Sequence, residues 1–214
     1  VFILETSYLV DVIQNNLLET IFHEHLSYFT VKPLEAFFRR SGMELINVER
    51  IPTKGGSLRC IVQLEGGRRA VSPSVAQLVD LETKLGIGRA DIFNDVSAKI
   101  GALKKQLVSF LGGLKAQGKT IAGYGASVGV TTLIYLFGLA DMLSFIVDDN
   151  QSRQNLFSPG YHIPVISPQS IYERKPDYVL ILAWGYSEPI MKKHQAYLKQ
   201  GGHFIVPLPE MRII

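Results

Sequence analysis

Two of the chain's five histidines lie within three residues of each other, as His23-Glu24-His25, between Phe22 on one side and Tyr28-Phe29 on the other. An imidazole titrates near neutrality and a neighbouring carboxylate can stabilise its protonated form, so this set suits general acid–base work against an apolar wall. In an extended segment His23 and His25 would share one face and Glu24 the other. In an irregular loop all three could converge on a ligand. The plainer reading is a strand end or surface loop with solvated histidines. A metal site would need further ligands at a workable spacing, and none is evident, so no metal is expected.

A second concentration of chemistry is Gly123-Tyr124-Gly125-Ala126-Ser127-Val128-Gly129. Glycines where a strand turns into a helix let the backbone approach a phosphate closely, and the exposed amides of the helix start attract anions. Asp148 follows Gly123 by 25 residues, near where an acid would meet a ribose hydroxyl in a dinucleotide fold. The third fingerprint position is Val128, with the glycine displaced to Gly129, which argues against NAD. A tight turn with no ligand and a bound nucleoside diphosphate are the other two readings. Trp184, at the end of an apolar strand, could stack on a base or close the core. His162 reads as a loop residue, His194 as a helix-surface residue and His203 as a strand-edge residue.

The elements that must position these residues follow from periodicity. Val1–Glu5 reads as a buried strand with no lead-in, so the chain is expected to be cut from something longer. Tyr8–Asn15 has helical or turn-like spacing. Thr30–Ser41 reads as a helix, with Thr30 at its N-cap and Pro33 in its first turn. Strands are expected over Met43–Arg50 and Ser57–Leu64. From Pro73 to Gln117, apolar residues recur at three- and four-residue spacing, broken at Gly86-Ile87-Gly88; the pattern is a short helix and then a long one from about Asp91. Beyond Lys119 strands alternate with helices: Thr120–Ala122, a helix to about Phe137, Leu143–Val147, Tyr178–Ala183, a helix over Glu188–Gln200, and His203–Val206. That alternation indicates a parallel sheet in a small Rossmann-like domain.

Composition narrows the function classes. A net charge of +3 over 214 residues is too small to suggest nucleic acid. The pairs Lys104-Lys105 and Lys192-Lys193 fit solvated helix faces. The single cysteine, Cys60, excludes an internal disulfide and fits a reducing, cytoplasmic setting as a buried strand thiol. No apolar run reaches the ~20 residues of a membrane span.

The stretch Thr20-Ile21-Phe22-His23-Glu24-His25-Leu26-Ser27-Tyr28-Phe29 resembles the signature of S-adenosylmethionine-dependent sugar C-methyltransferases, which methylate a carbon of a nucleotide-linked deoxysugar. The resemblance extends through Gly55-Gly56-Ser57-Leu58-Arg59, Gly123-Tyr124-Gly125-Ala126, Asp148-Asp149-Asn150, Pro159–Val165 with His162, Ala183-Trp184 and Gly201–Pro209. It implies three regions: residues 1–68 as the end of a class I methyltransferase domain, 69–117 as a helical connector, and 118–214 as a Rossmann-like substrate domain. It implies His25 as general base, with Glu24 beside it and His23 orienting substrate. It implies a nucleotide-diphosphate sugar held by Gly123, Tyr124, Gly125, Ala126, Ser127, Asp148, His162, Trp184, Ser57 and Arg59. The loop that binds S-adenosylmethionine would lie outside this chain, leaving the fragment inactive alone. Three positions depart from the family pattern: Phe22 replaces a common tyrosine, Lys54 a histidine, and Gly129-Val130 a lysine and a small residue. A non-catalytic nucleotide-sugar-binding module, or an NAD-dependent oxidoreductase fragment, are the rival readings. The sequence leaves the oligomeric state open.

Overall fold

Along Ser57–Leu64 the side chains of Leu58, Cys60 and Val62 alternate into the protein and are fully buried in the computed structural model, which describes residues 1–214. That period of two is the inward face of a strand, and it organises the first of two units, formed by Val1–Leu17 and His23–Ala98. The elements of this unit are β1 (Phe2–Ser7), α1 (Leu9–Gln14), α2 (Val31–Arg40), β2 (Met43–Ile51), β3 (Ser57–Leu64) and α3 (Pro73–Lys84), after which α4 (Asp91–Ala116) begins. The sheet order is β1-β3-β2, with β3 antiparallel to both neighbours. A register shift between Leu45 and Asn47 lets Leu45 and Val48 both enter the core although they are three apart.

Two features of this unit differ from the sequence reading. The apolar start of β1 is exposed, with Val1, Phe2 and Ile3 at 68%, 50% and 61%. β1 pairs with β3 alone, so no strand lies along its other edge. Thr30 does occupy the N-cap of α2, but its side chain makes no capping bond. The cap comes from α3 instead: Glu82, 5% exposed, accepts from the amides of Val31 at 2.5 Å and Lys32 at 3.2 Å, and from the Tyr8 hydroxyl at 3.1 Å. A carboxylate at a helix N-terminus satisfies two orphan amides and meets the positive end of the dipole.

The second unit comprises Leu18–Phe22 and Lys99–Ile214. Its elements, after the C-terminal part of α4, are β4 (Ile121–Tyr124), α5 (Val128–Phe137), β5 (Ile146–Val147), β6 (Leu156–Phe157), β7 (Pro164–Ile166), α6 (Ser170–Arg174), β8 (Tyr178–Ile181), α7 (Ser187–Lys193), α8 (Gln195–Lys199), β9 (His203–Val206) and β10 (Arg212–Ile213). The seven strands run in the order β10-β9-β8-β4-β5-β7-β6. Only the two edge strands are antiparallel, so the unit is a Rossmann-like α/β fold. The central strands are buried on both faces, as parallel sheets require. The stretch read as a connector divides, with α3 in the first unit and α4 in the second from Lys99 onward.

Here too the structure corrects details. The strand expected over Leu143–Val147 shrinks to Ile146–Val147, and the loop after it holds β6, β7 and α6. The helix expected over Glu188–Gln200 breaks at His194, whose backbone leaves the helical region at φ −110°, ψ 30°. His194 is not on the surface; it is 4% exposed, its ring drawn inward between two tyrosines. No helix is long and apolar enough to cross a membrane.

Two tests follow from this packing. Glu82→Ala leaves three donors without their acceptor, two of them buried, and is expected to lower unfolding stability by at least about 2 kcal/mol. A loss under about 0.5 kcal/mol in urea titrations would contradict the capping role. Burial pushes the Cys60 thiol up to about 11. Cys60 should therefore resist a thiol reagent at mildly alkaline pH until the chain is unfolded, and rapid labelling of the native protein would contradict its burial.

Candidate functional site

Each unit carries one cavity with candidate chemistry. In the first, the His-Glu-His stretch is an irregular turn rather than a strand. Its downstream end is pinned where the Leu9 amide donates to the Phe29 carbonyl at 3.0 Å and Tyr8 bridges Phe29. The turn presents Glu24 and His25 to a cavity of about 490 Å³ whose opposite wall is the end of β1 with Lys54 and Ser57. Of the expected site residues, this cavity gathers His25, Glu24 and Ser57. His23 is off the wall and solvent-facing, 4.0 Å from Glu24. Arg59 is also off the wall, paired with Glu5 at 3.2 Å and Glu49 at 3.6 Å. Glu5 is further held by the Thr53 hydroxyl at 2.9 Å. Lys54 has no carboxylate partner and supplies the cavity's cation. The chain reaches it through left-handed Lys54 (φ 52°) and Gly56 (φ 147°), where a Cβ would lie 2.2 Å from Asp11.

In the second unit a cavity of about 300 Å³ opens at the carboxyl ends of β4, β5 and β8. The chain proceeds from β4 to β5 on one side and later returns as β8 on the other, which leaves the crevice where open α/β sheets bind ligands. Each strand is followed by part of the wall: Gly125 and Ser127 after β4, Asp148 and Asp149 after β5, Ala183 and Tyr186 after β8. Gly125 has φ 104°, and a Cβ on it would meet that of Ala183 at 2.6 Å, so the turn requires glycine.

The remaining expected residues divide by burial. Asp148, 6% exposed, has both oxygens engaged: by the amides of Ala126 at 2.6 Å and Asn150 at 2.7 Å, and by Arg153 at 3.2 Å. Its carboxylate ties the glycine turn to the loop after β5. Gly123 sits inside β4 against Leu182, where a Cβ would come within 2.7 Å, and is off the wall. Ala126 and Ser127 line a smaller adjoining cavity of about 80 Å³. Tyr124 contributes its edge only, being 2% exposed. Trp184, 5% exposed, belongs to the core, and the aromatic at the rim is Tyr186. His162 is exposed in a left-handed turn away from both cavities.

Residues 52–209 match the family described as C-methyltransferase C-terminal domain. The chain belongs to that family. It is also 34% identical over all 214 residues to C-methyltransferase NovU of Streptomyces niveus, and spans about half (51%) of that protein's length. Family membership gives one departure a structural reason. At Gly129 a Cβ would lie 2.2 Å from the carbonyl of Glu19, because the short turn Leu18–Thr20 rests on α5. A lysine there would displace that turn. The cations at this cavity are Arg153 and Lys193.

Sequence reasoning quoted Asp149 without giving it a role, and it overlooked Arg153, Tyr186 and Lys193, the last read as part of a solvated face. The acidic pair at the end of β5 and the aromatic two residues past Trp184 were the available signals. Glu19 gave none. Its Oε2 is buried without a hydrogen-bond partner, and desolvation pushes its carboxyl up to about 7. A folded state that holds this proton loses stability relative to the unfolded chain as pH rises from the ordinary 4.5 to about 7, and the loss levels off above that. Melting temperatures across that range should fall for the wild type and fall less for Glu19→Gln. Parallel profiles would contradict a buried proton at Glu19.

Proposed function

We propose that this chain is the C-terminal half of an S-adenosylmethionine-dependent sugar C-methyltransferase, with His25 as the base that prepares the sugar carbon. The observation that carries the reading is the cavity in which His25, Glu24, Ser57 and an unpaired Lys54 meet, in a chain of this family. A neutral imidazole at His25 removes a proton from the carbon next to a keto group, leaving the electron pair as an enolate ready to accept a methyl group. Glu24 stabilises the imidazolium, and Lys54 offers a cation to the developing negative charge. Phe22 brings no hydroxyl to this work, so the keto oxygen must draw its polarisation from elsewhere.

The sheet order supports the placement of residues 1–68 as the end of a class I methyltransferase domain. Three strands with the last in sequence inserted antiparallel between the other two match the closing strands of that fold, and the open edge of β1 is where its earlier strands would pair. The first unit has no glycine-rich strand-to-helix turn, so the residues present do not fit S-adenosylmethionine. The methyl donor would be held outside this chain.

The second unit supplies substrate binding in this reading. Its cavity combines the glycine turn, two cations and an exposed aromatic ring, a set suited to a nucleoside diphosphate. The test is thermal stability with dTDP, UDP, GDP, CDP, NAD and S-adenosylhomocysteine, together with a methyl-transfer assay. A nucleoside diphosphate is expected to raise the melting temperature while NAD and S-adenosylhomocysteine do not, and this chain alone is expected to turn over nothing. A shift with NAD only, or methyl transfer by this chain alone, would overturn the reading. In the complete enzyme His25→Ala should cut methyl transfer by about a hundredfold or more without weakening nucleotide binding.

A further inference from the structure

Behind the second cavity, four side chains form a continuous hydrogen-bonded series. Tyr172 lies 2.9 Å from Nδ1 of His194, and Nε2 of the same ring lies 2.9 Å from the Tyr124 hydroxyl. That hydroxyl lies 3.1 Å from Oδ1 of Asp149, which Lys193 also contacts. Tyr172 comes from α6, Tyr124 from β4, and His194 from the break between α7 and α8.

The donors can be assigned one by one. A carboxylate beside Lys193 only accepts, so Tyr124 spends its single proton on Asp149. Burial and the charge of Asp149 push the Tyr124 hydroxyl far above its ordinary range, so that proton stays in place. Toward His194, Tyr124 can then only accept, and Nε2 must carry a hydrogen. Burial and the neighbouring Lys193 charge, opposed by Asp149, push the His194 imidazolium down from its ordinary value. The ring is therefore neutral near pH 7, Nδ1 is bare, and Tyr172 donates to it. Oδ2 of Asp149 receives no hydrogen bond from the protein, and Asp149 lines the cavity.

We propose that His194 is a positioning residue: as the Nε2–H tautomer it aligns a one-way chain, Tyr172 to His194 to Tyr124 to Asp149, that holds Oδ2 of Asp149 ready to accept a hydroxyl of the ligand's pentose. This rests on the reading of the cavity as a nucleotide site. His194 never touches the ligand. It acts through Tyr124, whose donor it keeps pointed at Asp149; donors already reach both oxygens of Asp148, whereas both donors to Asp149 fall on Oδ1.

The experiment pairs nitrogen-15 NMR of the His194 ring with calorimetry. The probe is whichever of dTDP, UDP, GDP and CDP the wild type binds most tightly. In NMR, which needs no variant, His194 should show a protonated Nε2 and a bare Nδ1 from about pH 6 to about pH 8. A protonated Nδ1 in that range would overturn the proposal. In calorimetry, His194→Asn places its amide near Nδ1 and leaves Tyr124 without its donor, whereas His194→Gln restores a donor near Nε2. Affinity is expected to fall about tenfold in His194→Asn and Tyr124→Phe, and less than about threefold in His194→Gln. Equal losses in the Gln and Asn variants, or none in either, would overturn the role of His194 while leaving the nucleotide site standing. A wild type that binds none of the four probes would overturn the nucleotide reading and the proposal with it. Asp149→Ala, at a half-exposed position that does not endanger folding, should also lose about tenfold, and unchanged affinity there overturns the proposal.

Discussion

A carboxylate taken out of water is tolerated only when donors replace the water, and Glu82 meets that demand with three. Two of them are the first amides of α2, so the helix start is fixed by a side chain more than 50 residues away. The third is Tyr8, whose ring then serves as a platform 5.7 Å from the Arg50 guanidinium. Arg50 in turn grips buried Asp11 through two nitrogens. Asp11 fills the space beside Gly56, and that contact shapes the turn carrying Lys54. One satisfied charge thus sets α1, α2 and the β2–β3 connection together. The loop that bears Glu24 and His25 hangs from this frame, because Phe29 is bonded to Leu9 at the point where the network begins.

The second unit solves the same problem with Asp148. Its oxygens hold the glycine turn after β4 and the loop after β5 in one arrangement, with Arg153 completing the set. The adjacent Asp149 has a different balance: one oxygen is anchored and the other takes no hydrogen bond from the protein. Adjacent acids at one strand end thus differ in burial and in hydrogen bonding.

The two cavities have different chemical characters. The first brings a titratable imidazole, a carboxylate and a lone ammonium to a hollow framed by a small antiparallel sheet. The second is walled by backbone turns and paired charges at the carboxyl edge of a parallel sheet. On the proposed reading, proton chemistry belongs with the first and recognition with the second.

By itself the sequence determined most of the element types, the parallel sheet after Lys119 and the family, and it marked the histidine-rich turn as a candidate for chemistry. These are local or periodic properties: apolar spacing sets which face is buried, and glycine marks where a backbone must turn tightly. What the sequence left open depended on partners distant along the chain. Thr30 does sit at the N-cap of α2, but the side chain that bonds the first amides is that of remote Glu82. His194 looked exposed because its neighbours are lysines and glutamine, and only the fold puts Tyr124 and Tyr172 on either side of its ring. Asp148 and Asp149 cannot be told apart in sequence. Trp184 could equally have stacked on a ligand or closed the core, and the turn after β8 decides it by sending the indole inward and the phenol of Tyr186 out. In each case the deciding quantity is burial against a remote element, which no local pattern encodes.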